Sequence, residues 1–277
     1  MEKSKDKGMV SFCPTPIGNL EDISLRVLRV LKEADVILCE DTRHSGSLLN
    51  YYDIKKPLIS YHKYNEEARI QEIFQRIDQG QNIAVISDAG MPGVSDPGEV
   101  LLSHLIEEGI SYEVLPGPCA HVTATVAANI KDGRYLFWGF LPQKSSQREK
   151  VLEELKDVTF PIVFYEAPHR IEKTMASIEA TLGNREIVLA RELSKLYEEV
   201  VFTSSQEFLS NPDSFTLKGE FVLILMPKKQ EEFVIDIKAE LQNKIESGIK
   251  MSQAVKEVAK ENNLPKNQVY KESLDMS

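Results

Sequence analysis

The most informative stretch of the chain is Ile83-Ala84-Val85-Ile86-Ser87-Asp88-Ala89-Gly90-Met91-Pro92-Gly93-Val94-Ser95-Asp96-Pro97-Gly98. Its first four residues are apolar and mostly β-branched, which predicts a short buried strand. The rest is a loop with three glycines, two prolines and two aspartates, and a helix is predicted to follow over 99–108. Open α/β sheets usually bind ligands in loops at the carboxyl ends of strands. A tight turn would also use glycine and proline, but the two aspartates that frame this loop favour a binding site.

Apolar runs and helical patterns alternate along most of the chain, which indicates an α/β fold with mixed, largely parallel sheets. After residue 236 the pattern is helical, and a turn at Leu264-Pro265 predicts a hairpin of two short helices, similar to a helix-turn-helix. The predicted strands are 9–13, 34–39, 58–60, 83–86, 112–115, 135–140, 161–165, 186–190, 199–203 and 221–226. The predicted domains are an α/β domain over 1–128, a second α/β domain over 129–230 that completes a cleft, and a helical appendage over 231–277.

The bulk composition limits the compartment and the partners. The 277 residues carry a net charge of −10, which excludes a general coat for polyanions, so a nucleic-acid substrate would need a local basic cluster. The three cysteines are far apart in sequence and suit a reducing compartment. Residues 1–7 are polar and no apolar signal region follows them. No run approaches the roughly 18 apolar residues of a membrane span. We therefore expect a cytoplasmic protein with no membrane partner.

Several familiar catalytic signatures are missing from the sequence. It has no Gly-x-Gly-x-x-Gly fingerprint, no phosphate-binding loop and no Gly-x-Ser-x-Gly nucleophile elbow. The five histidines show no metal-ligand spacing, so no metal site is predicted. The remaining candidates are loops with small or charged residues at strand ends. Two domains that face each other with such loops would enclose a cleft suited to an organic cofactor.

Five strings at or near these strand ends resemble a known family. They are Pro-Thr-Pro-Ile-Gly-Asn-Leu-Glu-Asp at 14–22, Glu-Asp-Thr-Arg at 40–43, the loop at 87–98, Phe-Tyr-Glu-Ala-Pro-His-Arg at 164–170 and Lys-Gly-Glu-Phe at 218–221. The family is the ribosomal RNA small subunit methyltransferase I group of the tetrapyrrole methylase superfamily. The resemblance extends from about Val10 to the C-terminal hairpin. The 87–98 string is highly specific to this group, and the 40–43 and 164–170 strings distinguish it from the enzymes that act on tetrapyrroles.

The resemblance implies an enzyme that methylates a cytidine 2′-oxygen in 16S rRNA. It also implies a homodimer, and S-adenosylmethionine bound between two α/β domains, with largely main-chain contacts. Carried over by position, the cofactor contacts are Ile17, Ser87, Asp88, Met91, Cys119, Ala120, Thr123, Tyr165, Glu166, Arg191, Glu192 and Gly219.

Methyl transfer to a hydroxyl needs a group that takes the proton. The candidates are Asp22 and Asp41, placed ahead of Asp88 and Glu166, although Asp22 would also suit a helix cap and Asp41 a pair with Arg43. Basic residues in or beside the expected cleft are candidates to hold the RNA phosphates, and intramolecular ion pairs are the alternative for each. They are Arg43, His44, Lys144, Arg148, His169 and Arg170. An acidic protein that modifies one rRNA site would read shape, and we expect its substrate to be the assembled small ribosomal subunit.

Two other functions are consistent with parts of the sequence. One is a methyltransferase of the same superfamily that acts on a tetrapyrrole, which the 40–43 and 164–170 strings argue against. The other is a non-enzymatic nucleic-acid binder that works through the C-terminal hairpin. Residues 236–277 contain seven lysines and seven acidic residues. A hairpin with no net charge is a weak reader of DNA, so packing or guidance of RNA is favoured.

Overall fold

The computed structural model describes residues 7–228, 236–262 and 264–275. The chain divides into two compact units, Met1–Lys228 and Lys229–Ser277. The first unit contains two five-stranded sheets, and the second unit is helical. In the described part of the chain, no helix is long and apolar enough to cross a membrane.

The first sheet is entirely parallel. Its strands have the order β3-β2-β4-β1-β5, and all four pairings run in the same direction. The carboxyl ends of its strands therefore meet at one edge, as the alternation of strand and helix predicted. The strands are β1 (Val10–Phe12), β2 (Val36–Cys39), β3 (Leu58–Ser60), β4 (Ile83–Val85) and β5 (Tyr112–Val114), and the helices are α1 (Leu25–Glu33), α2 (Thr42–Tyr51), α3 (Glu66–Asp78), α4 (Glu99–Glu107) and α5 (Ala120–Ala127).

Both faces of the first sheet are buried, because neighbouring residues of a strand point to opposite faces. Phe12 and Leu38 pack with Ile73 of α3 in one cluster. Ile37, one residue from Leu38, packs with Val27 of α1 in another cluster on the opposite face. This two-sided burial explains why the strands are short continuous apolar runs.

The second sheet has a mixed topology. Its order is β6-β7-β10-β8-β9. The β6–β7 pairing is parallel, whereas β10 is antiparallel to both of its neighbours and β9 is antiparallel to β8. Five of the eight pairings in the two sheets are therefore parallel. The strands are β6 (Leu136–Phe140), β7 (Ile162–Glu166), β8 (Glu186–Arg191), β9 (Glu199–Ser204) and β10 (Phe221–Leu225), and the helices are α6 (Ser145–Glu154), α7 (Ile171–Leu182) and α8 (Ser205–Ser210).

The central strand of the second sheet determines which residues meet at the site. Phe221, the first residue of β10, pairs with Glu166 and Arg191, the last residues of β7 and β8. Residues just before β10 thus lie at the same edge as residues just after β7 and β8.

Helix α5 joins the two sheets into one unit. It follows the last strand of the first sheet, but its buried face packs on the second sheet. Ala124 and Ala128 share a hydrophobic cluster with Val163 and Val222, and Ile17 belongs to the same cluster. The opposite face of the second sheet is covered by α6, α7 and α8. Helix α5 and the loop after β1 therefore connect the first half of the unit to the second sheet.

The C-terminal unit has three helices in the residues that are described, one more than the predicted hairpin. They are α9 (Ile237–Glu246), α10 (Met251–Glu261) and α11 (Lys266–Leu274). The predicted turn at Leu264-Pro265 lies between α10 and α11, and Leu241 of the additional helix α9 is buried against Val258 and Val269. Ile237, Leu241 and Ile245 occur at a spacing of four residues. The sequence was predicted to be helical here, but no separate helix was assigned to these residues.

Candidate active site

A cavity of about 430 Å³ lies between the two sheets of the first unit. Four loops of the first half and the edge of the second sheet form its walls. Seven of the residues predicted to contact a cofactor line it: Ile17, Asp88, Met91, Cys119, Ala120, Tyr165 and Glu166. Five further residues, which were not predicted as contacts, also line the cavity. Three of them are acidic and two are apolar: Glu40, Asp96, Glu220, Leu193 and Val222.

The loop after β4 is fixed to the loop after β1. Thr15 and Gly90 exchange two backbone hydrogen bonds, of 2.9 and 3.0 Å. The Ser87 hydroxyl donates to the Gly90 carbonyl at 3.1 Å, and the Thr15 hydroxyl donates to the Ser87 carbonyl at 3.1 Å. Ser87 is buried and does not line the cavity. It therefore holds the loop in shape, while its neighbour Asp88 lines the cavity.

The second half of the same loop is held as firmly. The Gly98 amide donates to the buried carboxylate of Glu66 at 2.8 Å, and the Gly93 amide donates to the Pro97 carbonyl at 3.1 Å. Gly98 has φ +134°, a conformation that L side chains rarely adopt, and Phe12 packs 3.3 Å from where its Cβ would be. These contacts fix the short segment that carries Asp96.

The wall from the second sheet contains a buried carboxylate that the protein itself satisfies. Glu166 accepts hydrogen bonds from the Thr174 hydroxyl at 2.6 Å and from the Ala167 amide at 3.0 Å, and its ion pair with Arg170 measures 2.9 Å. The phenol oxygen of Tyr165 accepts from the His121 amide at 3.3 Å. Glu166 is thus a structural anchor for the turn after β7, with few lone pairs left for other partners.

Three predicted cofactor contacts shape a turn beside the cavity instead of lining it. Glu192 accepts from the Lys195 ammonium at 2.8 Å and from the Glu220 amide at 3.0 Å. Gly219, at φ +84°, lies so close to Glu192 that a Cβ there would be 2.4 Å from its carboxyl carbon. Arg191 pairs with Glu199 at 3.1 Å. Together these contacts present Glu220 to the cavity.

The two leading candidates for the general base lie outside the cavity. Asp22 and Thr123 line a second groove, which shares Ile17 and Cys119 with the cavity, and the Asp22 carboxylate accepts a hydrogen bond from Ser194. The sequence allows either Asp22 or Ser24 to cap α1, and the structure has Ser24 there, whose hydroxyl accepts from the α1 backbone.

Asp41 caps helix α2 by accepting the Arg43 amide at 2.8 Å, so the helix begins at Thr42. Its ion pair with the Arg43 guanidinium measures 2.9 Å, and these hydrogen bonds lower the pKa of Asp41 to about 2. A carboxylate with so low a pKa is a weak proton acceptor.

The carboxyls that do line the cavity repel one another. Burial and the charges of Glu40, Asp88 and Glu220 together raise the pKa of Asp96 to about 7, against a lowering by the Ser87 hydroxyl. Burial and the charge of Asp88 also raise the pKa of Glu40. No lysine, arginine or histidine lines this cavity within the described ranges. The site is therefore anionic and suits a ligand with positive charge.

The basic residues predicted to hold RNA fall into two groups. Arg43 has a side chain that is 90% exposed, and Lys144 and His169 are also exposed. His44 is exposed too, and its ring nitrogen lies 3.2 Å from the Asp88 carbonyl oxygen at the cavity wall. These four are open to a macromolecule.

The other two predicted RNA contacts are occupied within the protein. Arg148 is only 4% exposed, and it donates to the Ser177 hydroxyl at 2.9 Å and to the Gln143 carbonyl at 3.1 Å. Arg170 pairs with Glu166 and donates to the Leu141 carbonyl. Arg170 thus forms the intramolecular ion pair that was the alternative to RNA binding. Arg148 is bound within the protein by a hydroxyl and by backbone carbonyls instead.

Among the residues that the structure describes, no three histidine, cysteine, aspartate or glutamate side chains are grouped so that they could hold a metal ion.

Comparison with known proteins identifies the class. Residues 9–209 match the family described as Tetrapyrrole (Corrin/Porphyrin) Methylases, and the chain belongs to this family. Solved structures with the same fold include diphthine synthase (TM-score 0.64, 12% identity, 80% of this chain and 90% of that one) and the methyltransferase CobJ (TM-score 0.60, 18% identity, 80% and 95%). At these identities the likeness concerns the fold alone.

Curated relatives identify the branch of the family. Three proteins named "Ribosomal RNA small subunit methyltransferase I" are similar to this chain over nearly its whole length. They come from Halalkalibacterium halodurans (39% identity, 97% of this chain and 96% of the relative), Bacillus subtilis (37%, 96% and 94%) and Synechocystis (37%, 97% and 98%). The chain is a member of this group, as the five strings predicted.

Proposed function

We propose that this protein transfers a methyl group from S-adenosylmethionine to the 2′-hydroxyl of a cytidine ribose in 16S rRNA. The observation that carries the proposal is the cavity of about 430 Å³, whose walls contain parts of all five strings on which the family resemblance rests. Its volume is in the range of cavities that bind small organic ligands. The rRNA substrate is proposed from the names of the relatives.

The donor set of the cavity suits this cofactor. S-adenosylmethionine supplies a methyl group on a positively charged sulfur, and Asp88, Asp96 and Glu220 line the cavity without a basic neighbour on its wall. Ala120 and Val222 provide apolar surface for the uncharged part of the cofactor. The main task of the protein is then orientation, which can contribute about 7–11 kcal/mol to lowering a barrier.

The protein needs a way to hold RNA despite its net charge of −10. Arg43 and His44 lie in the first turn of α2, where the His44 ring is 3.2 Å from the Asp88 carbonyl oxygen at the cavity wall. Lys144 and His169 are exposed on the second half of the unit. We propose that these four contact RNA phosphates, and that the substrate is 16S rRNA within the small ribosomal subunit. A cytoplasmic homodimer belongs to the same proposal.

The test is methyl transfer from isotope-labelled S-adenosylmethionine to small ribosomal subunits purified from cells that lack this protein. The product nucleoside is identified by mass spectrometry after nuclease digestion. We expect 2′-O-methylcytidine. Transfer to no rRNA nucleoside, with cofactor binding intact, would refute the substrate and leave a small-molecule acceptor such as a tetrapyrrole to be tested.

Two variants of helix α5 provide a matched control. Ala120 lines the cavity, whereas Ala127 is an exposed residue of the same helix. Ala120→Phe fills the cavity and should abolish cofactor binding and methyl transfer together. Ala127→Phe should leave both unchanged, and equal effects of the two variants would mean that the cavity is not the cofactor site.

A further inference from the structure

We infer that Asp96 is the catalytic residue that accepts the proton of the ribose hydroxyl. Glu40 is then a positioning residue, whose negative charge makes Asp96 a stronger proton acceptor. This inference rests on the proposed function. It deepens that function by assigning the proton transfer to a residue that the family resemblance did not single out.

The first argument is that other partners occupy the alternative carboxylates. Glu166 is bound by Thr174, Ala167 and Arg170. Asp22 and Asp41 lie outside the cavity, where Ser194 and Arg43 bind them. Glu220 lines the cavity but pairs with Lys195 at 2.8 Å. A base must have a free lone pair that faces the substrate.

Asp88 and Glu40 are the remaining competitors. The Asp88 Oδ1 atom accepts from the Asp41 amide at 3.4 Å, and its backbone carbonyl lies 3.2 Å from the His44 ring. Glu40 faces His62 and Lys63, whose charges oppose the rise in its pKa.

Asp96 forms no ion pair with any described residue and has the Ser87 hydroxyl as its side-chain partner. That hydroxyl has one proton, and the Gly90 carbonyl competes for it. Asp96 thus combines the weak competition of one shared hydroxyl with surroundings made up of other carboxyls.

The second argument is that the loop holds Asp96 in a fixed position. The residue lies between Ser95, which has φ +64°, and the Pro97-Gly98 pair that Gly93 and Glu66 anchor. Strained backbone of this kind persists where the surrounding structure holds it, and it is concentrated at active sites. A base held this firmly needs little reorganisation before it takes a proton.

The groups that face Asp96 come from every element around the cavity. Glu40 follows β2, Asp88 follows β4, Glu220 precedes β10, and the Tyr165 phenol belongs to β7. The positive groups nearby are engaged with these neighbours: Lys195 pairs with Glu220, and Lys63 and His62 act on Glu40. The net surroundings are therefore anionic, which makes Asp96 a stronger proton acceptor than an exposed aspartate.

The step balances as a single displacement. The ribose oxygen forms a bond to the methyl carbon as the carbon–sulfur bond breaks, and the bonding pair remains on sulfur, which becomes neutral. The hydroxyl proton moves to the Asp96 carboxylate. Asp96 thereby becomes a neutral acid and later releases the proton to water. Burial and the neighbouring carboxyls raise the pKa of Asp96 to about 7, which suits a base that works near neutral pH.

The experiment measures single-turnover methyl transfer to small ribosomal subunits with the full-length protein and saturating S-adenosylmethionine. Asp96→Asn keeps the shape of the side chain and removes the base, and we expect a rate loss of about 10²- to 10⁴-fold. Calorimetry gives the cofactor dissociation constant of each protein, so that the cofactor concentration saturates the variant as well as the wild type. Asp157→Asn, at an exposed position, is the matched control and should retain the wild-type rate.

A second variant keeps the inference falsifiable if Asp96→Asn folds poorly. The wild-type rate should rise with pH and level off above about pH 7. Glu40→Gln removes one negative neighbour of Asp96, so the inflection should move to lower pH, by up to about one unit. A merely structural role for Glu40 would change the rate without moving the inflection.

Three results would overturn the inference. They are an Asp96→Asn rate within threefold of the wild type, a rate that returns when more cofactor is added, and an unchanged pH profile in Glu40→Gln. If the wild-type protein itself methylates no cytidine 2′-oxygen, the proposed function has failed. That outcome is distinct from one in which the wild type is active and the Asp96 variant equally so.

Discussion

Gly219 offers a quantitative test of the structure at the turn beside the cavity. Its φ is +84°, and a Cβ at this position would lie 2.4 Å from the carboxyl carbon and 2.5 Å from the Cγ of Glu192. The Glu192 side chain cannot stay in place next to an alanine. Its carboxylate accepts the Glu220 amide at 3.0 Å, so Gly219→Ala should break that bond as well as strain the backbone.

The cost has two parts. An alanine in the left-handed region costs roughly 1–2 kcal/mol, and the loss of a hydrogen bond to a charged acceptor costs about 1.5–3 kcal/mol. We count nothing for the pair with Lys195, because that ammonium is partly exposed. The free energy of unfolding should therefore fall by about 2.5–5 kcal/mol.

Gly109→Ala is the matched control for this variant. Gly109 also has a positive φ, +62°, but no atom lies within 4 Å of where its Cβ would be. This variant should lose only the backbone part, roughly 1–2 kcal/mol. The difference between the two variants isolates the contact with Glu192.

Urea unfolding followed by tryptophan fluorescence measures both variants. Trp138 is the single tryptophan of the chain and belongs to β6, so it reports on the unit that contains the turn. The urea dependence should be unchanged while the midpoint falls. Equal losses for Gly219→Ala and Gly109→Ala would refute the close approach of Gly219 to Glu192.

Four further predictions concern charged and reactive side chains. Arg148→Met should lower the free energy of unfolding in urea by about 1–3 kcal/mol, because it leaves the buried Ser177 hydroxyl without its donor. Lys144→Ala should weaken rRNA binding in a filter assay without changing the melting temperature. Asp41 has a pKa of about 2 in the native protein and about 3.9 unfolded, so its stabilisation holds above pH 4 and is lost between about pH 4 and pH 2. Thermal melts should therefore separate Asp41→Asn from the wild type at pH 7 and bring the two together near pH 2. Burial raises the pKa of Cys119, so iodoacetamide should modify this cavity thiol slowly at pH 8, and S-adenosylhomocysteine should protect it, as peptide mass spectrometry would show.

Much of the first half could be predicted from the sequence, because its strands and helices are local patterns. The apolar run at 83–86 and the glycine loop after it occur as predicted, next to a parallel neighbour. The order of the second sheet could not be predicted in this way. Which strand pairs with which depends on contacts between distant residues, and nothing in the pattern of 221–226 indicates that β10 lies antiparallel between β7 and β8.

The chemistry of the site was harder to predict than its location. Asp96 belongs to the conspicuous glycine-rich loop after β4, yet its raised pKa depends on burial and on the charges of Glu40 and Glu220, which are far away in sequence. Arg148 looks like an exposed cation in the sequence because helix periodicity alone does not reveal that its guanidinium meets Ser177. Burial and hydrogen-bond partners are properties of the folded chain. Residue type alone therefore could not show which side chains are bound within the protein and which are available to a ligand.

The position of β10 has a consequence for synthesis of the chain. Phe221–Leu225 is the last strand in the described part of the sequence, yet it is the middle strand of its sheet. While the nascent chain leaves the ribosome, β7 and β8 emerge first, with no partner between them and with apolar faces unprotected. A chain that stops before Phe221 lacks the strand that holds them together, so the second wall of the cavity can form only after Phe221–Leu225 has left the ribosome.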